Sequence, residues 1–203
     1  MVHLGMSGKL IYVEAGKPRE RHDHIIIHLE NGHELRFHDP RRFGLSLLVP
    51  RPELEASPQI KVLGLDPFHQ RFNGVYLYSV ARSSRRRIRD LLIDQGVVAG
   101  VGNIYANEIL FRAGIRPTTR AWKLGRVRVE RIAKMVPKIL REAIRWCGTS
   151  LSDYRDAEDR RGGFQNHLRV YDREGELCRV CKSTIKRVPI GNRSAFYCPT
   201  CQK

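Results

Sequence analysis

The stretch Asp94-Gln95-Gly96-Val97-Val98-Ala99-Gly100-Val101-Gly102-Asn103-Ile104-Tyr105-Ala106 joins two helical patterns. Before it, Ile88, Leu91 and Leu92 fall at i, i+3 and i+4 and mark one helix face. Arg82, Arg85, Arg86, Arg87 and Arg89 are expected on the opposite, solvated face. After it, a helix over 104–113 is expected to stop at Gly114, with Pro117 beyond. Gly100 and Gly102 let the backbone turn tightly, and Asn103 is expected to cap the helix it opens. Free N–H groups at such a helix start attract phosphate. On these residues alone two readings stay open: a packing element with a solvated arginine face, or a turn that grips phosphate. A dinucleotide-binding unit is excluded, because no strand precedes the glycines and no βαβ unit surrounds them.

Working outward, residues 1–50 read as β structure. Ile25, Ile27 and Leu29 alternate with His24, Ile26 and His28; Asn31-Gly32 follows, then the run His33 to His38. An Asn-Gly pair between alternating runs predicts a hairpin, since both residues accept positive φ. A further strand is expected over 45–49. Residues 50–75 hold four of the ten prolines and read as a linker. Downstream, Val129, Ile132, Val136, Ile139 and Ala143 keep a helical period, which Pro137 should kink or break. Residues 148–167 are polar and read as a mobile loop, and β structure returns from Leu168. The fold class is therefore α+β, divided into 1–75 (β), 76–165 (helical) and 166–203 (a small hairpin).

That hairpin carries Cys178-x2-Cys181-x16-Cys198-x2-Cys201. Each pair sets two thiolates at one bend, and two bends close a tetrahedron around zinc. Four cysteine ligands leave no open position, so one structural Zn2+ is expected, contributing directly to folding. An iron–sulfur centre or a redox dithiol pair is the alternative. Cys147, among apolar neighbours on a helix, is expected to be buried. His24, His28, His33 and His38 are expected to form a polar strand face rather than a metal site.

The 203 residues contain 37 Lys plus Arg and 21 Asp plus Glu, a formal net charge of +16. Charge of this sign favours an anionic partner, by counterion release and faster encounter. No apolar run approaches the roughly 20 residues that span a bilayer, and no signal-peptide pattern opens the chain, so no membrane partner and a cytoplasmic, nucleoid-associated location are expected.

Four blocks together point to a family: His3-Leu4-Gly5-Met6-Ser7-Gly8, Asp39-Pro40-Arg41-Arg42-Phe43-Gly44, the stretch 94–106, and Asn192-Arg193-Ser194-Ala195-Phe196-Tyr197-Cys198 through Gln202. In this order they resemble the bacterial formamidopyrimidine-DNA glycosylases, base-excision repair enzymes that remove oxidised purines. The sister branch, the endonuclease VIII enzymes, generally lacks the Arg-Arg-Phe block. The resemblance implies a partial N-terminal β-sandwich, a helical domain with a helix–two-turn–helix, and a C-terminal zinc-finger β-hairpin. It implies a bifunctional glycosylase and AP lyase, acting as a monomer on double-stranded DNA containing oxidised purines such as formamidopyrimidine and 8-oxoguanine.

The resemblance also implies roles. Met6, Arg41 and Phe43 match residues that fill the gap left by an extruded base. A lesion inside a duplex must be flipped out, and something must occupy the hole. Phe43 suits a wedge, Arg41 has donors for an orphaned cytosine, and Met6 is a flexible apolar filler. His3, Asn103 and Arg193 match residues that grip phosphates flanking the lesion, and His22 matches another DNA-contacting position. Arg193 also matches an arginine that helps the second elimination step. The segment Arg155 to Gly163 corresponds to the one that closes over the extruded base.

The family's nucleophile is an N-terminal proline beside a general-acid glutamate, with a lysine further on. The sequence begins Met1-Val2-His3, with no Pro-Glu start and no lysine before Met6. Residues 1–203 alone are thus expected to be catalytically inactive and to expose an apolar sheet face. The alternatives are a non-catalytic zinc-dependent damaged-DNA-binding protein, or a protein bound to ribosomal or other RNA, which fits the charge but not Arg41 to Phe43.

Overall fold

A computed structural model describes residues 1–5, 7–150, 157 and 161–203. The chain divides into two compact units, residues 1–57 with 143–167, and residues 58–142 with 168–203.

The first unit is built from β1 (Val2–His3), β2 (Lys9–Glu14), β3 (Asp23–His28), β4 (His33–His38) and β5 (Leu45–Ser46). Strands β2, β4 and β3 form an antiparallel sheet in that order, and β1 pairs with β5. The expected hairpin is β3–β4, with His28 opposite Glu34. Its turn differs from expectation: Gly32 adopts φ +76°, while Asn31 stays out of the left-handed region. Asn31 instead accepts the His33 amide with its side chain and donates to the Tyr12 hydroxyl at 3.0 Å, so side-chain bonds replace one positive φ. The strand expected over 45–49 shrinks to two residues, because Val2 and His3 are all that β1 offers as partners. Ile25 and Ile27 are 39% and 47% exposed, so one face of β3 is uncovered among the described residues.

The second unit holds α1 (Pro58–Lys61), α2 (Gly74–Arg82), α3 (Ile88–Leu92), α4 (Asn103–Ala113) and most of α5 (Arg126–Arg145), then the hairpin β6 (Lys186–Ile190) and β7 (Arg193–Tyr197). Leu77, Ile88, Leu91, Leu92, Ile109, Ile132 and Ile139 are fully buried, each contributing about 1.5–3 kcal/mol. Asn73 caps α2 by accepting the Tyr76 amide at 3.0 Å, and Gly114 ends α4 in the left-handed region, where glycine has no Cβ penalty.

Two expectations fail, and of the kink or break expected at Pro137 the break is absent. α5 runs through Pro137 without a break, since the proline removes only one of the ladder's bonds and the apolar face of Val129, Ile132, Val136 and Ile139 is fully buried. Arg89 does not share the solvated arginine face. It is 2% exposed and donates from Nη1 to Asp90 at 2.7 Å. Cys147 is exposed, at φ +54° beyond the end of α5, not buried. No helix of the described residues is long and apolar enough to cross a membrane.

Candidate nucleic-acid interface

In the first unit, the 39–44 turn is held by its own backbone and one buried carboxylate. Asp39 is 1% exposed, and its Oδ2 accepts the Gly44 amide at 2.7 Å. The His22 carbonyl accepts the Asp39 amide, and His24 Nε2 lies 3.0 Å from the Asp39 carbonyl. Arg42, between the two implied DNA-contacting residues, sits at φ +55°. Gly5 packs so closely on the turn that a Cβ there would lie 2.7 Å from the Phe43 carbonyl carbon. The outcome is a stiff bend presenting an aromatic ring to solvent. Phe43 is 62% exposed, and the Arg41 guanidinium lies 5.9 Å from its ring centroid. Several other large apolar side chains are exposed too; what distinguishes Phe43 is that its turn is fixed by Asp39 and Gly5 and that Arg41 lies beside its ring.

His3 Nδ1 accepts the Gly5 amide at 3.2 Å, which leaves the proton of the neutral ring on Nε2 and makes that atom a donor. His22 packs edge-on to His38, with centroids 5.9 Å apart. His38 in turn bonds Asp23 at 2.9 Å. Burial opposes charge on Asp23, but the Glu20 amide, His38 and Arg36 outweigh it and hold the carboxyl below its ordinary range. His3, Arg41 and Phe43 are all exposed, and His22 half-buried. Met6, and most of the segment 155–163, lie outside the described residues.

In the second unit, the glycine turn is ordered from within. Gln95 Oε1 accepts the Gly100 amide at 2.7 Å, its Nε2 donates to the Val101 carbonyl, and Gly100 takes φ +79°. Asp94 accepts from Arg86 at 2.6 Å and from the Gly96 amide, and Arg86 leads in pulling its carboxyl pKa down. The expected cap is corrected: Gly102 is the N-cap, with no side-chain bond, and Asn103 is the first helical residue. Asn103 is freed from capping and donates from Nδ2 to the Ser194 carbonyl at 3.1 Å. That bond ties the helix start to the residue after Arg193. Arg193 pairs with Ile190 at the tip of the β6–β7 hairpin, and its exposed side chain makes no hydrogen bond or ion pair with the described residues.

Two polar residues that periodicity did not single out hold this arrangement. Asn107 and Glu108 are fully buried on α4. Asn107 donates to the Asn103 carbonyl and accepts the Phe196 amide, both at 2.7 Å. The Glu108 carboxylate accepts the amides of Arg169, Val170 and Tyr171 at 2.9–3.0 Å. The available signal is an adjacent Asn-Glu pair set between Ala106 and the apolar run Ile109-Leu110-Phe111.

The four cysteine sulfurs lie within 4.8 Å of one another, with Cys178–Cys201 at 4.0 Å and Cys181–Cys198 at 3.3 Å. Thiolates about 2.3 Å from one zinc ion would sit about 3.8 Å apart, so the set fits. It is the one group of this kind among the described residues. Ser183 lowers the Cys181 thiol to about 6, whereas burial raises Cys198 and Cys201. Around the sulfurs Val170, Ile185 and Phe196 form a small core with Phe111 of α4. Gln202 links this knuckle to the Ile115 carbonyl at 2.8 Å.

Comparison with known proteins bears on this geometry. The family models for the formamidopyrimidine-DNA glycosylase N-terminal domain, its H2TH domain, and the zinc finger found in FPG and IleRS match residues 1–46, 63–155 and 175–203. The formamidopyrimidine-DNA glycosylase of Hahella chejuensis is 43% identical over 203 residues, which cover all of this chain and 74% of that protein. The Desulforamulus reducens enzyme of the same name is also 43% identical, with 73% of its length covered. The chain belongs to the formamidopyrimidine-DNA glycosylase family. The Lactococcus lactis Fpg in complex with DNA containing an abasic site matches with a TM-score of 0.91 at 31% identity, over all of this chain and 74% of that one. The MutM (Fpg) protein of Thermus thermophilus matches at 0.88 and 36% identity, over 99% and 74%. As a member of this family the protein is a DNA glycosylase of base-excision repair, of mixed helix and sheet, with a structural zinc centre at its C-terminus.

Proposed function

We propose that the protein acts as a monomer on double-stranded DNA containing oxidised purines, on the nucleoid of the bacterial cytoplasm, with glycosylase and AP-lyase steps. The observation that carries this reading is the exposed Phe43 on a turn stiffened by Asp39 and Gly44, with Arg41 beside it. In this reading Phe43 wedges into the stack, Met6 fills the remaining gap and Arg41 meets the orphaned base. His3, through Nε2, Asn103 and Arg193 grip phosphates, and His22 adds a further contact. Arg193 also assists the second elimination, and residues 155–163 cover the extruded base. The relatives support the substrate: one Lactococcus lactis Fpg variant is in complex with a Fapy-dG containing DNA. Functionally the chain reads as 1–75, 76–165 and 166–203.

Zinc, held by Cys178, Cys181, Cys198 and Cys201, supplies no reaction chemistry with all four ligands taken. It fixes the hairpin that carries Arg193. No observation favours a non-catalytic damaged-DNA-binding protein. The test is binding by zinc-loaded residues 1–203 to duplexes carrying 8-oxoguanine or formamidopyrimidine opposite cytosine, against the undamaged duplex. Tighter binding to both lesions is expected, and equal affinities for all three would refute the substrate assignment.

A further inference from the structure

At the end of α4 remote from Asn103 lies an open pocket of about 530 Å³, all of it within the second unit. α4 is 11 residues long, so its two ends stand about 16 Å apart. Gly114 closes the remote end. A Cβ there would lie 3.4 Å from the Cys201 carbonyl oxygen and 3.8 Å from Arg131 Nη1, so the bare glycine sets Arg131 close beside the zinc knuckle.

Three elements supply the other walls. α5 presents Arg131, Met135 and Lys138, spaced i, i+4 and i+7 along one stripe. The zinc knuckle presents Val180, which is 66% exposed between Cys178 and Cys181. Arg169 enters from the segment whose amides Glu108 holds.

The charge on this rim is not balanced from within. The side chains of Arg131, Lys138 and Arg169 form no hydrogen bond or ion pair with the described residues. Arg112, the fourth cation, is spent on Glu142 at 2.6 Å. Three like charges around one concavity repel one another, and an anionic guest removes that repulsion. The guest must also cover Met135 and Val180, which a bare phosphate cannot do. A nucleotide strand would bring bases, but bases are held by stacking on exposed aromatic faces. Phe111, the one ring in the lining, is only 8% exposed. Carboxylates on either side of an apolar side chain meet both demands.

We propose that this pocket docks a partner protein through an acidic peptide segment with an apolar anchor, and that it does so while DNA is bound. Simultaneous binding rests on the reading above, in which the Asn103 end of α4 faces DNA.

The test uses zinc-loaded residues 1–203 and a fluorescein-labelled peptide, Glu-Glu-Leu-Phe-Glu-Glu, followed by fluorescence anisotropy at about 0.15 M salt. Saturable binding is expected, and it should persist when the protein is first saturated with a tetrahydrofuran duplex. Combining Arg131→Ala with Lys138→Ala is expected to weaken the peptide about tenfold. Both side chains are exposed, so the fold should be retained. Zinc content checks this, as does duplex affinity, expected within about twofold of the unaltered protein because the faces lie more than a Debye length apart. A peptide with alanines for its leucine and phenylalanine should also bind more weakly. No saturable binding, equal binding by the double variant, or equal binding of the alanine peptide would overturn the proposal. A dT hexamer that displaces the peptide and loses tenfold in the double variant would make the pocket a nucleic-acid surface instead. Displacement of the peptide by the duplex, with the tenfold loss intact, would refute the separation of the two faces and leave the docking site standing.

Discussion

Asn107 accepts the Phe196 backbone amide at 2.7 Å, so a residue in the middle of α4 closes a bond of the zinc hairpin. The same side chain donates to the Asn103 carbonyl, and Asn103 donates to the Ser194 carbonyl. Helix start and hairpin therefore share one chain of hydrogen bonds, all of it on short side chains with few rotamers. Replacing Asn107 by Ala leaves the buried Phe196 N–H without its acceptor and the half-buried Asn103 carbonyl without this donor. The unfolding free energy should fall by about 1–3 kcal/mol, read by denaturant titration.

Zinc removal should act on the same assembly. Chelation, or Cys198→Ser, is expected to abolish the one-per-chain zinc stoichiometry and to loosen the hairpin, since Val170, Ile185 and Phe196 make too small a core to hold it unaided. Metal analysis and near-ultraviolet circular dichroism check this. Full zinc retention by the Cys198→Ser protein would argue against the site.

Arg193 should behave as a phosphate ligand. Its side chain has no hydrogen bond or ion pair to the described residues and is available to DNA. Arg193→Ala is expected to weaken binding and to flatten the dependence of log affinity on log salt by about one unit. An unchanged slope would remove it from the contacts.

Acid should weaken the first unit through Asp23. Its folded pKa lies below the ordinary 3.8, so the charged form stabilises the fold above that value, and the contribution is lost as pH falls through the lower, folded pKa. Side chains of Asp23 and Arg36 are 3% and 6% exposed, so solvent screens the pair little. Asp23→Asn should lower stability at neutral pH and flatten its decline below about pH 4, followed by thermal unfolding across pH.

The sequence made some of this legible and hid the rest for physical reasons. The cysteine spacing predicts a ligand set whose sulfurs do converge, because metal geometry constrains spacing tightly. The i, i+3, i+4 pattern at Ile88, Leu91 and Leu92 gives a face that is wholly buried. Arg89 was misplaced because one turn's period cannot tell a solvated arginine from one paired with its neighbour Asp90. The cap fell one residue early because Gly102 can start a helix without a side chain, leaving Asn103 for a long-range bond that no local pattern encodes. Of the kink or break that Pro137 signals, tertiary burial overrides the break. Asn107 and Glu108 act across 61 residues or more, beyond the reach of any periodicity argument.

The most direct test of the account concerns Phe43. A duplex with a tetrahydrofuran abasic analogue, and 2-aminopurine stacked beside the orphaned base, reports insertion of a wedge by its fluorescence. Zinc-loaded residues 1–203 should change that fluorescence on binding, and Phe43→Ala should bind with most of the change lost. A Phe43→Ala protein that binds and gives the full change would contradict the claim that this exposed ring enters the DNA.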